Sequence, residues 1–388
     1  MTEISDITYR IGCAISEDIF YAAASLDDYS EHGFTRMFIL QDTSGIPEWS
    51  YHDLRLTVNS VCLLDRADVN DDRLVFALGE DGEVEKYDGI DSYEEYIPNA
   101  GLNGNWCGIL GYMNSIRFIG YNMVAGGSSG QVYSKSCDGK WSTINISFEG
   151  NNEFLDKIEK YNIFPDILDI SIFDVNGFSI DKLYAVGRLG NEGLIAFYNG
   201  KSWKFVSKLT PADLHSILIV DQENILICGA HGNLLLGNIE IGFKRLTSMG
   251  IEDDFYNAAI FNNEIYITSN RYLYKYHEGQ FTKVNIRDDI NSSGFIKVES
   301  IGKVLWVLTE KIIIKFDGKT WIFFENPDNN SPNNDVIQNI KAGEKCPESG
   351  YWFTVAQENS RQYFEQGDVF PNIKSDWGDV YWQFYGDG

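Results

Sequence analysis

A Gly-containing turn followed by Trp or Phe recurs along the chain at intervals of roughly forty residues, a period at which each repeat is one supersecondary unit that needs its neighbours to bury its apolar face. The clear copies are Asp138-Gly139-Lys140-Trp141, Asn199-Gly200-Lys201-Ser202-Trp203, Ile241-Gly242-Phe243, Glu278-Gly279-Gln280-Phe281 and Asp317-Gly318-Lys319-Thr320-Trp321. Two weaker copies precede them, Gly45-Ile46-Pro47-Glu48-Trp49 and Asp88-Gly89-Ile90-Asp91-Ser92-Tyr93. Gly accepts positive φ at no steric cost, and an Asp or Asn side chain bonds nearby backbone, so the cassette reads as a tight turn. The aromatic then opens a strand, where a bulky ring can cover the seam between neighbouring sheets.

Ahead of each turn lie short apolar or alternating segments rich in Ile, Val, Leu, Tyr and Phe, which read as strand, strand, strand, turn, strand. The clearest copy runs through Ile167–Phe173, Lys182–Gly187, Gly193–Tyr198 and Trp203–Val206. The same pattern marks seven units, at 8–55, 56–98, 106–147, 166–208, 214–248, 255–287 and 294–325. Such sheets bury both faces when packed radially around an axis. Residues 56–325 resemble the β-propeller superfamily, in the broad sense that includes WD-repeat, kelch and photosystem-assembly-factor-like propellers. The expected fold is therefore all-β, a seven-bladed propeller of four-stranded antiparallel blades, with six or eight blades following from a shift at either end. The sialidase Asp-box, Ser-x-Asp-x-Gly-x-Thr-Trp, is a competitor, but the residue between Asp and Gly is missing from every copy here that has the Asp. That box is a structural turn and would carry no catalysis with it.

The chain has 388 residues, 44% hydrophobic and 14% aromatic, enough for a large core within one repeat domain. No run approaches the roughly twenty apolar residues of a membrane helix, and Met1–Asp6 is acidic with no long apolar run behind it, so a cytoplasmic protein is expected. Cys13, Cys62, Cys107, Cys137, Cys228 and Cys346 are scattered without a Cys-x-x-Cys pair, and they read as buried thiols.

The formal net charge is −26, and residues 1–100 hold 22 carboxylates against 6 basic side chains. A second excess lies in 322–388, with 11 against 4, whereas the stretch between is close to neutral. In a closed ring both ends would fall in one sector, repelling nucleic acid and anionic membranes and attracting a basic partner within a Debye length of roughly 8 Å. Simple solubility is the alternative. The candidate binding residues are Asp27, Asp28 and Glu31 in a long connection of the first unit, and Glu80, Asp81 and Glu83 in the equivalent connection of the second.

Three segments break the period. Residues 147–166 form an insertion in which Phe154, Leu155, Ile158 and Tyr161 stand at helical spacing, so a short amphipathic helix is expected. Residues 25–34 lengthen the first unit. The tail, 326–388, reads as a loop followed by strands near 351–356 and 380–385, an extension that packs on the propeller or closes its ring.

No catalytic signature emerges. His32, His52, His215, His231 and His277 stand apart, with no metal-ligand spacing, and Gly126-Gly127-Ser128-Ser129-Gly130 lacks the Lys and helix of a phosphate loop and reads as a hairpin turn. No Gly-x-Ser-x-Gly elbow is present, arginines are few, and acids are too numerous for any chosen pair to mark a glycosidase. No cofactor, metal or catalytic residue is expected. The reading is a monomeric, non-catalytic, acidic protein-binding propeller, in its sharpest form an immunity or inhibitor protein neutralising a basic toxin such as a nuclease. A carbohydrate-active or other small-molecule enzyme at the channel mouth and an assembly scaffold are the alternatives.

Overall fold

The computed structural model describes residues 6–27, 33–42, 47–65, 73–102, 110–136, 139–146, 170–206, 210–246, 250–277, 279–287, 290, 294–330, 340–347, 349–354, 357, 360–373 and 380–386. The helix expected in 152–161 lies outside them. Two compact units emerge, residues 5–326 and a smaller one made largely of residues 327–388.

The larger unit is seven four-stranded antiparallel sheets, each drawn from one continuous stretch of chain, which makes it the all-β, seven-bladed propeller the repeat predicted. Blade 1 is β1 (Ile7–Ala14), β2 (Ile19–Leu26), β3 (Thr35–Gln41) and β4 (Glu48–Leu54). Blade 2 is β5 (Val58–Asp65), β6 (Arg73–Gly79), β7 (Glu83–Tyr87) and β8 (Ser92–Tyr96). Blade 3 is β9 (Met113–Ile119), β10 (Asn122–Gly127), β11 (Val132–Ser136) and β12 (Ser142–Thr143), and blade 4 is β13 (Ile170–Ser179), β14 (Lys182–Leu189), β15 (Glu192–Tyr198) and β16 (Trp203–Phe205). Blade 5 is β17 (Leu214–Ile219), β18 (Ile225–Gly229), β19 (Asn233–Asn238) and β20 (Gly242–Arg245). Blade 6 is β21 (Phe255–Phe261), β22 (Glu264–Ser269), β23 (Leu273–His277) and β24 (Gln280–Lys283), and blade 7 is β25 (Phe295–Ile301), β26 (Val304–Thr309), β27 (Ile312–Phe316) and β28 (Trp321–Glu325).

Apolar side chains cluster in the seams, one cluster to each pair of adjacent blades. Second strands face a neighbour on both sides and are mostly buried, as in β26, where all of Val304–Thr309 is buried. The turn cassette works as its chemistry requires. Asp317 Oδ1 accepts the Lys319 and Thr320 N–H groups at 2.7 Å each, and Gly318 takes φ +91°. Backbone N–H groups from Thr320 and Lys319 hold the Asp317 carboxyl below the usual range. The following aromatic packs on the seam with the preceding blade in six of the seven cases: Trp49, Trp141, Trp203, Phe243, Phe281 and Trp321. Trp203 also donates Nε1–H to Ile144 O across its seam, at 2.6 Å. Blade 2 is the exception, for Tyr93 is 56% exposed and the first seam is completed by Tyr87 instead.

The ring closes without strand exchange, because all four strands of blade 1 come from the same end of the sequence. Blades 7 and 1 are joined by side chains and loops. Trp306, fully buried, donates to Ser16 O at 3.0 Å, Glu299 Oε2 accepts the Ala14 N–H at 2.7 Å, and Tyr9 N–H reaches Glu310 O at 2.8 Å. Lys315, nearly buried, reaches Asp18 at 2.8 Å and the buried Asp42 at 3.3 Å.

Cys13, Cys62, Cys228 and Cys346 are free thiols. Burial pushes the Cys62 and Cys228 thiols up to about 12 and raises Cys13 as well, so all three are inert small hydrophobes rather than nucleophiles. Cys107 and Cys137 lie outside the described residues.

The smaller unit holds a short 3-10 turn, Pro327–Asn330, and the strands β29 (Ile340–Lys341), β30 (Gly350–Phe353), β31 (Gln362–Phe364) and β32 (Tyr381–Gly386), in the order β29-β32-β30-β31. Its core is Cys346, Trp352, Phe364, Phe370 and Trp382, with Phe370 stacked on Trp382 at 5.5 Å. These strands pair with one another, and the first blade is complete without them.

Candidate functional site at the channel mouth

Each first strand lines the channel and carries a β-bulge near its start, at Arg10, Asn59, Asn114, Phe173, His215, Tyr256 and Ile296. The extra residue bends the strand and re-aims its side chain. Seven bulges at the same place make a ring of seven side chains at the end of the channel where the first strands begin. The local sequence is a second repeat, apolar, variable, polar, apolar in most blades: Val58-Asn59-Ser60-Val61, Met113-Asn114-Ser115-Ile116, Ile172-Phe173-Asp174-Val175, Leu214-His215-Ser216-Ile217, Phe255-Tyr256-Asn257-Ala258 and Phe295-Ile296-Lys297-Val298.

The polar members of this repeat do structural work. A first strand has no strand partner on its channel side, so its outward backbone groups need other ligands. Side chains from the preceding blade supply them. Ser60 Oγ accepts the Ile116 N–H at 3.1 Å, Asp174 Oδ2 the Ile217 N–H at 2.9 Å, and Asn257 Oδ1 the Val298 N–H at 3.0 Å. Asn59 Nδ2 donates to Met113 O at 2.9 Å, Asn114 Nδ2 to Ile172 O at 2.8 Å, and His215 Nδ1 to Phe255 O at 2.9 Å. Asp174 also holds Arg117 in a bidentate pair, accepting Nε–H at 3.0 Å and Nη2–H at 2.8 Å, and accepts Ser115 Oγ–H at 2.9 Å. That one buried carboxylate therefore binds blades 3, 4 and 5 together.

Within the ring is a cavity of about 280 Å³, lined by the bulge residues from Asn59 to Ile296 and by Arg117, Asp174, Ser216 and Lys297 among others. Lys297 pairs with Glu299 at 2.8 Å. Phe173, His215 and Tyr256 make an aromatic arc on consecutive blades, with centroids 6.1 and 5.5 Å apart. Burial, followed by the charges of Asp254 and Glu310, raises the Tyr256 phenol above its ordinary value.

The acidic loops read from the sequence stand on this same face. Thr57, in the link between blades 1 and 2, accepts the Gly33 N–H at Oγ1 (3.0 Å) and the Glu80 N–H at its carbonyl (2.9 Å), tying both loops to one rim. Asp28 and Glu31 lie outside the described residues. Asp27 accepts Thr8 Oγ1–H at 2.6 Å and pairs with Lys311 of blade 7 at 2.6 Å. Partial burial raises the Asp27 carboxyl, but those two partners outweigh it and hold it below the usual range. Its first duty is thus to the ring seam. Glu80, Asp81 and Glu83 are half-buried. Glu83 Oε2 accepts the Asp81 N–H at 3.2 Å, and Gly101, at φ +63°, packs so closely that a Cβ there would stand 2.4 Å from the Asp81 carbonyl carbon. The structure brings Asp27 and the Glu80–Glu83 turn to one rim but engages several of these side chains in holding the loops.

Another carboxylate of this sector is wholly internal. Glu85 is fully buried between blades 1 and 2, with Ser92 Oγ–H at 2.6 Å, His52 Nε2 at 2.9 Å and Tyr21 O–H at 3.3 Å. Among the described residues no three His, Cys, Asp or Glu side chains converge as a metal site, and no helix is long and apolar enough to cross a membrane.

No family model matches the chain. Over 246 residues, 63% of this chain and 73% of the other, it is 25% identical to Immune protein Tsi7 of Pseudomonas aeruginosa. Its fold is similar to the WD40 β-propeller domain of Doa1, with a TM-score of 0.55 and 15% identity over 84% of this chain and 95% of that one. It is equally similar to YCF48 bound to D1 peptide, with a TM-score of 0.55 and 13% identity over 80% and 94% of the two chains. The chain is therefore a seven-bladed β-propeller with sequence similarity to a bacterial immune protein.

Proposed function

We propose that this chain is a non-catalytic, cytoplasmic immunity protein that binds and neutralises a basic protein toxin through the rim and mouth of its channel. The similarity to an immune protein carries the reading. The charge supports the sign of the partner: −26 in all, concentrated in the first two blades, whose loops share the rim with the mouth. Carboxylates steer a positively charged partner and can take the place of phosphates on a toxin built to bind nucleic acid. The channel gives the enzyme alternative little support, because Asp174 and Glu299 are both spent on a cation and a backbone N–H.

The test is co-expression with the protein encoded beside this chain in its genome. That neighbour alone should arrest growth, and the chain should restore growth when produced with it. A neighbour that is harmless, or whose toxicity the chain leaves untouched, would remove the immunity reading.

A further inference from the structure

We propose that the cavity at the channel mouth is a socket for one cationic side chain, a lysine or arginine presented by the protein partner. The inference deepens the reading of the chain as a binder of a basic protein and rests on it.

The socket follows from what its walls still have to offer once their structural bonds are made. His215 Nδ1 faces Phe255 O, and a carbonyl can only accept, so Nδ1 carries the proton and a neutral ring keeps its lone pair on Nε2. Asn59 and Asn114 donate through Nδ2 to the next blade, which leaves each with an acceptor oxygen among the residues lining the cavity. The two cations of the wall, Arg117 and Lys297, already have Asp174 and Glu299 at hydrogen-bond distance. Their charges are met, whereas the acceptors are not.

The aromatic arc adds the second element. Phe173 and Tyr256 flank His215 on adjacent blades and line the cavity with it, Tyr256 being 39% exposed. Ring faces attract cations electrostatically, most strongly where water is partly excluded. The Asp254 and Glu310 carboxylates stand near enough to Tyr256 to act on its phenol. Arg10, the remaining charged bulge residue, is turned to Ser25 Oγ at 3.1 Å and does not line the cavity. At about 280 Å³ the space falls just below the roughly 300–1,000 Å³ of small-molecule sites, a size for one long side chain rather than a cofactor. A guanidinium or ammonium supplies the donors that these acceptors lack and a charge that the rings attract.

The experiment uses the isotopically labelled whole chain and three probes: N-acetyl-arginine amide, the uncharged near-isostere N-acetyl-citrulline amide, and the anion N-acetylglycine. The arginine probe should move the Tyr256 and His215 ring resonances saturably, and the other two should not. Tyr256→Ala and Phe173→Leu should each weaken the arginine probe by roughly fivefold to tenfold, while Tyr256→Phe, which keeps the ring, should retain binding. Equal binding of the citrulline probe, binding of the anion instead, shifts that do not saturate, or indifference to both substitutions would overturn the socket. Growth rescue is a separate readout: if the unaltered chain rescues growth but ignores the arginine probe, the socket falls and the immunity reading stands. If rescue fails and the probe binds, the reverse holds.

Discussion

Replacing Trp306 by alanine is expected to lower the unfolding free energy by about 3–5 kcal/mol, the usual cost of truncating a fully buried tryptophan. This ring lies in the closing seam, against Phe20 at 5.4 Å and Phe324 at 5.8 Å, and its indole N–H holds Ser16 O. A propeller whose last blade borrows a strand from the first is latched by a ladder of backbone bonds. Here side-chain packing and a few loop hydrogen bonds do that work, so the seam between blades 7 and 1 is where a single truncation should weaken the ring most. Urea denaturation of the variant should show a lower midpoint. If Trp306→Ala cost no more than a truncation of the half-buried Trp203, closure would not depend on this seam.

The second large effect is expected at Asp174. Alanine there leaves the Arg117 guanidinium, the Ser115 hydroxyl and the Ile217 N–H without their acceptor. Breaking a buried pair from one side costs about 3–5 kcal/mol where the remaining charge stays desolvated, and the partly exposed Arg117 side chain puts the loss at the lower end of that range. Asp174→Asn keeps the shape and part of the bonding and should lose roughly half as much. Restoring stability by adding Arg117→Met to Asp174→Ala would identify the orphaned guanidinium as the source. A loss under about 1 kcal/mol for Asp174→Ala would mean that the three blades are not tied through this carboxylate.

The cassette could be found because its chemistry is invariant: a turn at positive φ wants Gly, an Asp or Asn caps the freed N–H groups, and a seam wants a large ring. Asp317-Gly318 followed by Trp321 satisfies all three, and so do Asn199-Gly200 and Trp203. The Ser128-Ser129-Gly130 segment is a hairpin turn between β10 and β11, with Ser129 and Gly130 at φ +56° and +70°, as its lack of a following Lys and helix implied. The bulge ring could not be found in the same way. A bulge fixes a backbone position and leaves the residue type open, so Asn59, Phe173, His215 and Tyr256 share a place without sharing a chemistry. Aligning the units on their first strands rather than on their turns would have exposed it through the polar residue that follows.

Charge was legible only in sum. Counting carboxylates gave the sign of the first two blades but could not separate a side chain facing solvent from one holding the fold. Asp27 is engaged with Lys311 across the ring seam, Glu83 caps its own turn, and Glu85 is fully buried. A charge-reversal experiment built on the sequence alone would reverse Asp27 and Asp81 and risk loosening the rim it means to test. Glu80 is a better choice, since its side chain makes none of these bonds, and Asp28 and Glu31, the other carboxylates of the first loop, can be reversed together with it.

The central claim is that an acidic propeller rim captures a basic toxin, and the most direct measurement is the rate at which the chain associates with its neighbour-encoded protein as salt is raised. The claim predicts a fast association at low salt that falls at least tenfold or so between about 0.05 and 0.5 M, and a similar loss at low salt on joint replacement of Asp28, Glu31 and Glu80 by lysine. An association rate that ignores both salt and these reversals would contradict it and leave the −26 charge as a matter of solubility.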